Sequence, residues 1–222
     1  TTEIYTLSLH DALPICVARG MTRDGRPVIH GNTEEIMPGS EDTHQSYGAV
    51  WGNLSNTPFR LYKRWAHEGG VAAPCIFHWP GHFQEAGQIR HQLSYLPDIM
   101  ATILEITGIP YPSEFNGHII PPLEGKSLLP VLEKNNPNGK GAIFFEKDGN
   151  AAIRSGKWKL VREFSRPWEL YDMDDDRTEL KNVISAYPDI AKELESEYMK
   201  WAKRTNVIPY EDFVGLMNKG KK

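Results

Sequence analysis

A lysine and a histidine lie just before a Gly-Gly pair, and their spacing is suited to binding an anion. Lys63 is followed by four residues and then by Glu-Gly-Gly at 68–70, and His67 directly precedes that glutamate. A lysine ammonium is a mobile point charge with three donors, which suits a sulfate or phosphate oxygen, and His67 could donate a second hydrogen bond. The pattern therefore predicts contacts for a tetrahedral oxyanion, while a solvated lysine and a packed histidine are the plainer interpretations.

The residues after this motif have the pattern of an α/β layer that would hold it in place. Residues 71–79 are mostly apolar and lie between a glycine and a proline, so they predict a buried strand of a parallel sheet. Residues 96–107 predict a helix, because Pro97 suits its first turn and Gly108 stops it. This helix should bury a wide apolar face formed by Ile99, Met100, Ile103, Leu104 and Ile106.

The last third of the chain changes period and predicts a small antiparallel sheet with a helix. Four short stretches read as strands separated by turns such as Asp-Gly-Asn at 148–150: residues 142–146, 151–154, 158–161 and 168–171. Residues 188–205 predict a closing helix whose apolar positions should face the strands, namely Ile190, Leu194, Tyr198 and Trp201. We therefore expect two domains, residues 16–137 and residues 138–222.

Composition and charge exclude several classes of function. The chain has 222 residues and a net charge of −4, so it has no basic field for nucleic acid. It contains no run of about 18 apolar residues, as a membrane helix needs. Cys16 and Cys75 are too few for a disulfide framework.

Residues 1–15 resemble a translated sequencing adapter and are expected to be a disordered artefact, with a natural disordered N-terminus as the alternative.

Two stretches resemble metal sites but have the wrong spacing or partners. His78 and His82 are four residues apart, but the Pro-Gly between them breaks any helix that would align them. The acidic run at 172–176 would begin an EF-hand loop only with Gly sixth and Glu twelfth, where Arg177 and Val183 stand. We therefore expect no metal ligands in this chain.

Taken in order, the motifs resemble the sulfatase family of the alkaline-phosphatase superfamily, and in particular a bacterial arylsulfatase branch. That family has a lysine, four residues and then Glu-Gly-Gly before a core strand, which makes Lys63 the match for its sulfate-binding lysine. Further matches follow in the family's order: residues 56–60, 96–104, 125–128, 149–154, 156–161 and 168–172. No single piece is specific, but the ordered set is.

The resemblance implies the C-terminal part of an alkaline-phosphatase-like α/β sandwich, followed by a small antiparallel sheet with a packed helix. The activity implied is hydrolysis of a sulfuric ester, with Lys63 binding the sulfate and His67 as a second candidate. The family also uses a formylglycine nucleophile and a calcium ion. The nucleophile should lie upstream, because Cys16 begins a motif that is one residue short of the family's pattern. The calcium ligands should also lie upstream, because this chain contains no Asp-Asn pair of the kind that the family's calcium site uses. The chain alone should therefore be inactive.

The expected partner is a sulfate ester or a sulfated glycan, and the full-length family member should be periplasmic or secreted. Two alternatives stay open. One is a phosphodiesterase or phosphonate hydrolase of the same superfamily, which the upstream nucleophile would distinguish. The other is a non-catalytic module that binds sulfated glycans.

Overall fold

The computed structural model describes residues 5–6, 20–31, 39–45, 48–83, 87–136 and 141–219. The chain divides into two compact units, one of residues 75–143 with 1–5 and the other of residues 6–74 with 144–222. The domain boundary predicted near residue 137 stays a prediction. The artefact predicted at residues 1–15 falls almost wholly outside the described residues.

The described elements are ten strands and six helices, several of them very short. The strands are β1 (Tyr5–Thr6), β2 (Ile29–His30), β3 (Thr43–His44), β4 (Cys75–Ile76), β5 (Glu114–Phe115), β6 (His118–Ile119), β7 (Ile143–Lys147), β8 (Asn150–Ser155), β9 (Trp158–Arg162) and β10 (Glu169–Asp172). The helices are α1 (Gly48–Ser55), α2 (Glu68–Val71), α3 (Leu96–Thr107), α4 (Leu129–Lys134), α5 (Pro188–Arg204) and α6 (Tyr210–Lys219). No helix in this described part of the chain has the length and apolarity needed to cross a membrane.

The predicted antiparallel sheet is confirmed as a four-stranded meander in the order β10-β9-β8-β7. The turn between β7 and β8 has positive φ at Asp148 (53°) and Gly149 (81°), which is the backbone that a tight hairpin needs. On one face, Ile153 pairs with Leu160, and Leu160 pairs with Leu170. All three side chains are fully buried. This face therefore forms an apolar layer.

Helix α5 covers that apolar face, as the sequence predicts. It begins with Pro188 at its first turn and lies against β8 and β9. Leu194 and Tyr198 are buried on its inner side. The ring of Trp201 stacks on Phe144 with centroids 5.0 Å apart. Successive side chains of this set are four and three residues apart, which places them on one stripe of the helix and explains why the periodicity identified the contact.

The opposite face of the sheet is also buried, but it carries charge. Ala152, Val161 and Tyr171 form an apolar cluster on this face together with Ala66 and Met173. Side chains alternate along a strand, so the same face also holds the paired residues Arg154 and Lys159, with Glu169 opposite Val161. The segment that contains the Glu-Gly-Gly motif therefore packs on a sheet face rich in ionisable groups.

The strand predicted at residues 71–79 is wrong in extent and in burial. Only Cys75–Ile76 is a strand, and both residues are exposed. Within the described residues, β4 pairs with β1 alone. A parallel strand is buried when strands flank it on both sides and helices cover it. In the described residues β4 has a single strand neighbour, the two-residue β1. Local apolarity predicted the strand, but burial depends on partners that are distant in sequence.

Helix α3 has the predicted bounds, but it buries the face opposite to the one expected. Asp98 and Thr102 are buried, because Asp98 Oδ1 accepts from Lys126 N at 2.9 Å and Thr102 Oγ1 accepts from Leu128 N at 2.9 Å. A Cβ on Gly125 would lie 2.0 Å from Pro97 O, so only glycine permits this approach. Four apolar side chains of the helix are instead exposed: Leu96, Met100, Ile103 and Ile106.

Candidate functional site

Lys63 lies at the second position of a tight turn. Trp65 N donates to Tyr62 O at 3.2 Å and closes the turn, and the rings of these two residues meet edge to face at 4.6 Å. Arg64, the third residue, has a φ of 98°. The turn is attached to the β7–β8 hairpin, since Asn150 Nδ2 donates to Arg64 O at 3.1 Å. Lys63 itself is half-buried. These two hydrogen bonds fix the backbone of the turn that carries its ammonium.

The Gly-Gly pair allows this turn to approach the following residues closely. Residues 68–71 form the short helix α2. A Cβ on Gly70 would lie 2.0 Å from Trp65 O, and a Cβ on Gly69 would lie 2.2 Å from the carbonyl oxygens of Arg60 and Leu61. Cβ atoms essentially never come within 3.0 Å of another heavy atom in this way. The two glycines are therefore required because the loop backbone lies directly on the helix.

Glu68 attaches the motif to the charged face of the sheet. Its carboxylate is buried and accepts from Lys159 Nζ at 2.8 Å. Its other oxygen lies 3.8 Å from Arg154 Nη1 and 3.6 Å from Arg177 Nη2. Its backbone N donates to Glu179 Oε2 at 2.7 Å. Charge-assisted bonds of this kind are short and directional, so they define where α2 begins.

Lys159 and Glu179 complete this buried group of charges. Lys159 Nζ lies 2.8 Å from Glu179 Oε1, in a geometry that makes the contact an ion pair rather than a directed hydrogen bond. Both side chains are fully buried. Sequence analysis did not identify the partners of Lys159, which are 91 residues away for Glu68 and 20 for Glu179. The one available signal for a buried carboxylate partner was the position of the lysine in a strand with both faces buried, because a buried ammonium needs a carboxylate beside it.

His67 is fully buried beside the same group of charges. Its Nε2 lies 3.1 Å from Glu169 Oε2 and 3.1 Å from Arg60 Nη2. Its Nδ1 has no hydrogen-bond partner among the described residues. The role predicted for His67 as a donor to a sulfate oxygen stays a prediction, and Nδ1 is the nitrogen available for it. The packed histidine that the sequence left as the plainer interpretation agrees with this burial.

Glu169 is the carboxylate at the centre of the His67 contacts. The hydrogen bond with His67 lowers the pKa of Glu169 most, and a hydrogen bond from Tyr171 and the charge of Arg60 lower it further. Tyr171 Oη donates to Glu169 Oε2 at 2.8 Å. Burial, together with this bond to an anion, raises the pKa of Tyr171 well above its usual range. Glu169 is therefore ionised at neutral pH and Tyr171 is protonated.

Three of the side chains considered as metal ligands, His82, Asp172 and Asp176, have partners within the protein. His82 Nε2 lies 2.7 Å from Glu133 Oε1, and its ring stacks on Trp79 at 3.8 Å. In the acidic run at 172–176, Lys157 Nζ donates to Asp172 Oδ2 at 2.6 Å, and Asp176 accepts from two backbone N–H groups. Across the described ranges, no group of three or more His, Cys, Asp or Glu side chains could hold a metal ion. Cys16 lies outside those ranges.

The site and the sheet beneath it fall within a known sequence family. The family described as N-sulphoglucosamine sulphohydrolase, C-terminal, matches residues 59–204, which include Lys63, the Glu-Gly-Gly motif and the whole meander. The match covers well over half of the chain. This chain therefore belongs to the sulfatase family and contains the C-terminal region of a sulfatase.

Curated relatives agree with this assignment. A sulfatase of Schizosaccharomyces pombe is 31% identical over 176 residues, which are 76% of this chain and 32% of the relative. The N-acetylgalactosamine-6-sulfatase of Mus musculus is 31% identical over 130 residues, 58% of this chain and 24% of the relative. Human arylsulfatase A is 31% identical over 127 residues, 54% of this chain and 22% of the relative. The chain thus spans a third or less of the length of these relatives.

Solved structures support the same fold. The crystal structure of Ps i-CgsB is similar with a TM-score of 0.56 and 28% identity, over 68% of this chain and 34% of that one. The same protein is also known in complex with k-i-k-neocarrahexaose. The structure of BT4656 with its substrate D-glucosamine-2-N,6-O-disulfate has a TM-score of 0.53 at 23% identity, over 76% of this chain and 35% of that one. At that identity the second likeness concerns the fold alone.

Proposed function

We propose that this chain is the sulfate-contacting C-terminal part of an arylsulfatase-type sulfuric ester hydrolase, with Lys63 as a ligand of the sulfate. The observation that carries the proposal is the family match across residues 59–204, which contains Lys63 at the family's spacing from Glu-Gly-Gly. The anchored turn around Lys63 supports it, because a cation held in place before the ligand arrives needs little reorganisation to stabilise negative charge.

Lys63 acts in binding and charge stabilisation, not as a nucleophile. Its ammonium donates to a sulfate oxygen and offsets the charge that grows on the oxygens as the ester bond breaks. In a whole enzyme of this type, a formylglycine would supply the nucleophile and a calcium ion would bind the sulfate. The described residues do not fit a calcium ion, since no suitable cluster of ligands occurs among them. Both groups therefore belong to a region outside this chain's described residues.

The proposed substrate class is a sulfated sugar. The relatives with 31% identity include an N-acetylgalactosamine-6-sulfatase, and Ps i-CgsB binds an oligosaccharide. These names support a sulfate ester on a carbohydrate, and human arylsulfatase A, at the same 31% identity, makes an aryl sulfate the second candidate substrate. His67 Nδ1 is proposed as a second donor, which a change in side-chain packing would have to bring to the ligand.

Titration of the chain with a sulfated monosaccharide tests this function. We would follow the backbone amide signals of residues 60–70 by NMR while adding N-acetylgalactosamine 6-sulfate or 4-nitrophenyl sulfate. Lys63→Ala should weaken binding about tenfold, because a hydrogen bond to a charged group contributes roughly 1.5–3 kcal/mol. Lys192→Ala is the matched control, since Lys192 is exposed on α5.

The outcomes separate the alternatives. Binding that is unaffected by Lys63→Ala would contradict the assigned role of Lys63 and favour a glycan-binding module. Tighter binding of a phosphonate monoester than of the sulfate ester would favour a phosphonate hydrolase. A shift confined to residues 60–70, abolished in Lys63→Ala and retained in Lys192→Ala, is the expected result.

A further inference from the structure

Both arms of the Lys63 turn are attached to one buried residue, Glu179. On the upstream arm, Arg60 Nη1 donates to Glu179 O at 3.2 Å. On the downstream arm, the backbone N of Glu68 donates to Glu179 Oε2 at 2.7 Å. One residue thus holds the segment 60–68 at its two ends through its carbonyl and its carboxylate. Lys63 lies between these two attachments.

The backbone of Glu179 is itself in an uncommon conformation. Its φ is 58°, in the left-handed region that a residue with a Cβ rarely adopts. The loop that holds it is closed by Asp176, whose carboxylate accepts from the backbone N of Leu180 at 2.9 Å and of Lys181 at 2.8 Å. Unfavourable backbone conformations persist where the surroundings over-determine them and are concentrated at functional sites. The loop is therefore built to present both polar groups of Glu179 inward.

Lys159 balances the charge that this arrangement concentrates. Its ammonium lies 2.8 Å from an oxygen of Glu68 and 2.8 Å from an oxygen of Glu179, and it is fully buried. Without it, two carboxylates would meet in a site screened from water. Buried ion pairs of this kind are often no more stabilising than apolar residues of similar size, so stability alone does not account for them.

We propose that Glu179, held by Lys159, is a positioning residue for sulfate binding: it clamps the two ends of the segment 60–68 and so sets the place of Lys63. The proposal rests on the proposed sulfate contact of Lys63. The route of the effect is continuous. Glu179 determines where α2 begins at Glu68, and Gly70 of that helix packs against the carbonyl of Trp65, which closes the Lys63 turn.

Two substitutions of Glu179 distinguish the effect of its hydrogen bond with Glu68 N from the effect of its negative charge. Glu179→Gln keeps an oxygen that accepts from Glu68 N, whereas Glu179→Ala removes it. If the turn is correctly placed in about a tenth of the Glu179→Ala molecules, the apparent affinity for N-acetylgalactosamine 6-sulfate falls about tenfold. Glu179→Gln should restore the affinity to within about threefold of the parent chain, because the bond that orients α2 is kept.

A destabilising substitution on the opposite face of the sheet is the control for a merely structural effect. Leu194→Ala removes a buried side chain of α5, the helix that lies against β8 and β9. Leu194→Ala should lower the midpoint of unfolding. Under conditions in which every variant is folded, it should leave the affinity for N-acetylgalactosamine 6-sulfate unchanged. Equal losses of affinity in Leu194→Ala and Glu179→Ala, or no loss in Glu179→Ala, would overturn the proposal.

Hydrogen exchange provides a readout that does not depend on any ligand. The amide of Trp65, which closes the turn, should exchange at least about tenfold faster in Glu179→Ala and at the parental rate in Glu179→Gln. Unchanged exchange would refute the clamp even if binding were lost. Faster exchange in a chain that binds no sulfate ester would uphold the clamp and refute the proposed function. If Glu179→Ala does not fold, Arg60→Ala removes the upstream attachment and should show the same two effects.

Discussion

Replacement of Gly70 by alanine should displace the turn that carries Lys63. The added Cβ would lie 2.0 Å from Trp65 O and 2.8 Å from Tyr62 O, whereas such atoms essentially never approach closer than 3.0 Å. The helix and the turn must therefore separate by about 1 Å, the difference between those two limits for Trp65. Both obstacles are backbone carbonyls, so no side-chain rotation relieves the clash.

The energetic cost follows from two opposing effects. Forcing an extra carbon into a packed site costs about 1–3 kcal/mol, while alanine restricts the unfolded chain and offsets about 0.4–1 kcal/mol. We expect Gly70→Ala to lower the free energy of unfolding by about 1.3 kcal/mol, the difference between the midpoints of these two ranges. Affinity for a sulfate ester should fall as well, because the displaced turn no longer holds Lys63 in place.

Gly215→Ala is the matched control for this experiment. A Cβ at Gly215 meets no atom within 4 Å, and the residue lies in α6 with an ordinary φ. There the same substitution should stabilise the chain by about 0.5–1 kcal/mol. Urea unfolding followed by tryptophan fluorescence measures both variants, and NMR of the Trp65 amide reports the turn. An unchanged free energy of unfolding together with an unshifted Trp65 amide in Gly70→Ala would refute the close-packing argument.

Three further predictions concern the buried charges and the activity. Lys159→Met should lower the free energy of unfolding by about 3–5 kcal/mol, since it removes the ammonium 2.8 Å from the buried carboxylate of Glu179 and leaves Glu68 only the more distant guanidinium groups of Arg154 and Arg177. Urea unfolding measures this loss, and a loss below about 1 kcal/mol would contradict the prediction. The folded-state pKa of Glu169 lies below its unfolded value of 4.5, so its contribution to stability is present above pH 4.5 and is lost as the pH falls through the folded pKa. Between pH 6 and pH 3, the free energy of unfolding should therefore fall less steeply with falling pH in Glu169→Gln than in the parent chain. The same pH dependence in both would count against the assignment. The purified chain, free of host sulfatase, should not hydrolyse 4-nitrophenyl sulfate, and measurable turnover that survives further purification would show that it carries its own nucleophile.

Elements that depend on neighbours in sequence were predictable. The bounds of α3 follow from Pro97 in its first turn and Gly108 after its end, and the structure has the helix at Leu96–Thr107. The strands of the meander follow from alternating apolar residues and the Asp-Gly turn, whose positive φ values the structure has. These signals are local, because caps and turns are set by residues a few positions apart.

Burial was less predictable, because it depends on what packs against an element. Residues 71–79 are apolar enough for a buried strand, yet the described part of the chain supplies too few neighbours to bury it. In α3 the periodicity located an apolar stripe, but the loop around Gly125 packs on the polar side through Asp98. Periodicity identifies a face and does not identify its partner.

The sequence by itself determined the family motif, the position of Lys63 within it, and the order of the C-terminal strands and helix. Only the tertiary structure decided what the rest of the motif does. Glu68 meets a lysine 91 residues away, and both arms of the Lys63 turn meet Glu179 more than 100 residues away. Contacts between residues so far apart produce no periodic pattern in the sequence, because the folding of the intervening sheet determines which residues meet. The Glu-Gly-Gly motif therefore serves packing: its carboxylate binds Lys159 of the sheet, and its two glycines let the turn that carries Lys63 pack closely against α2.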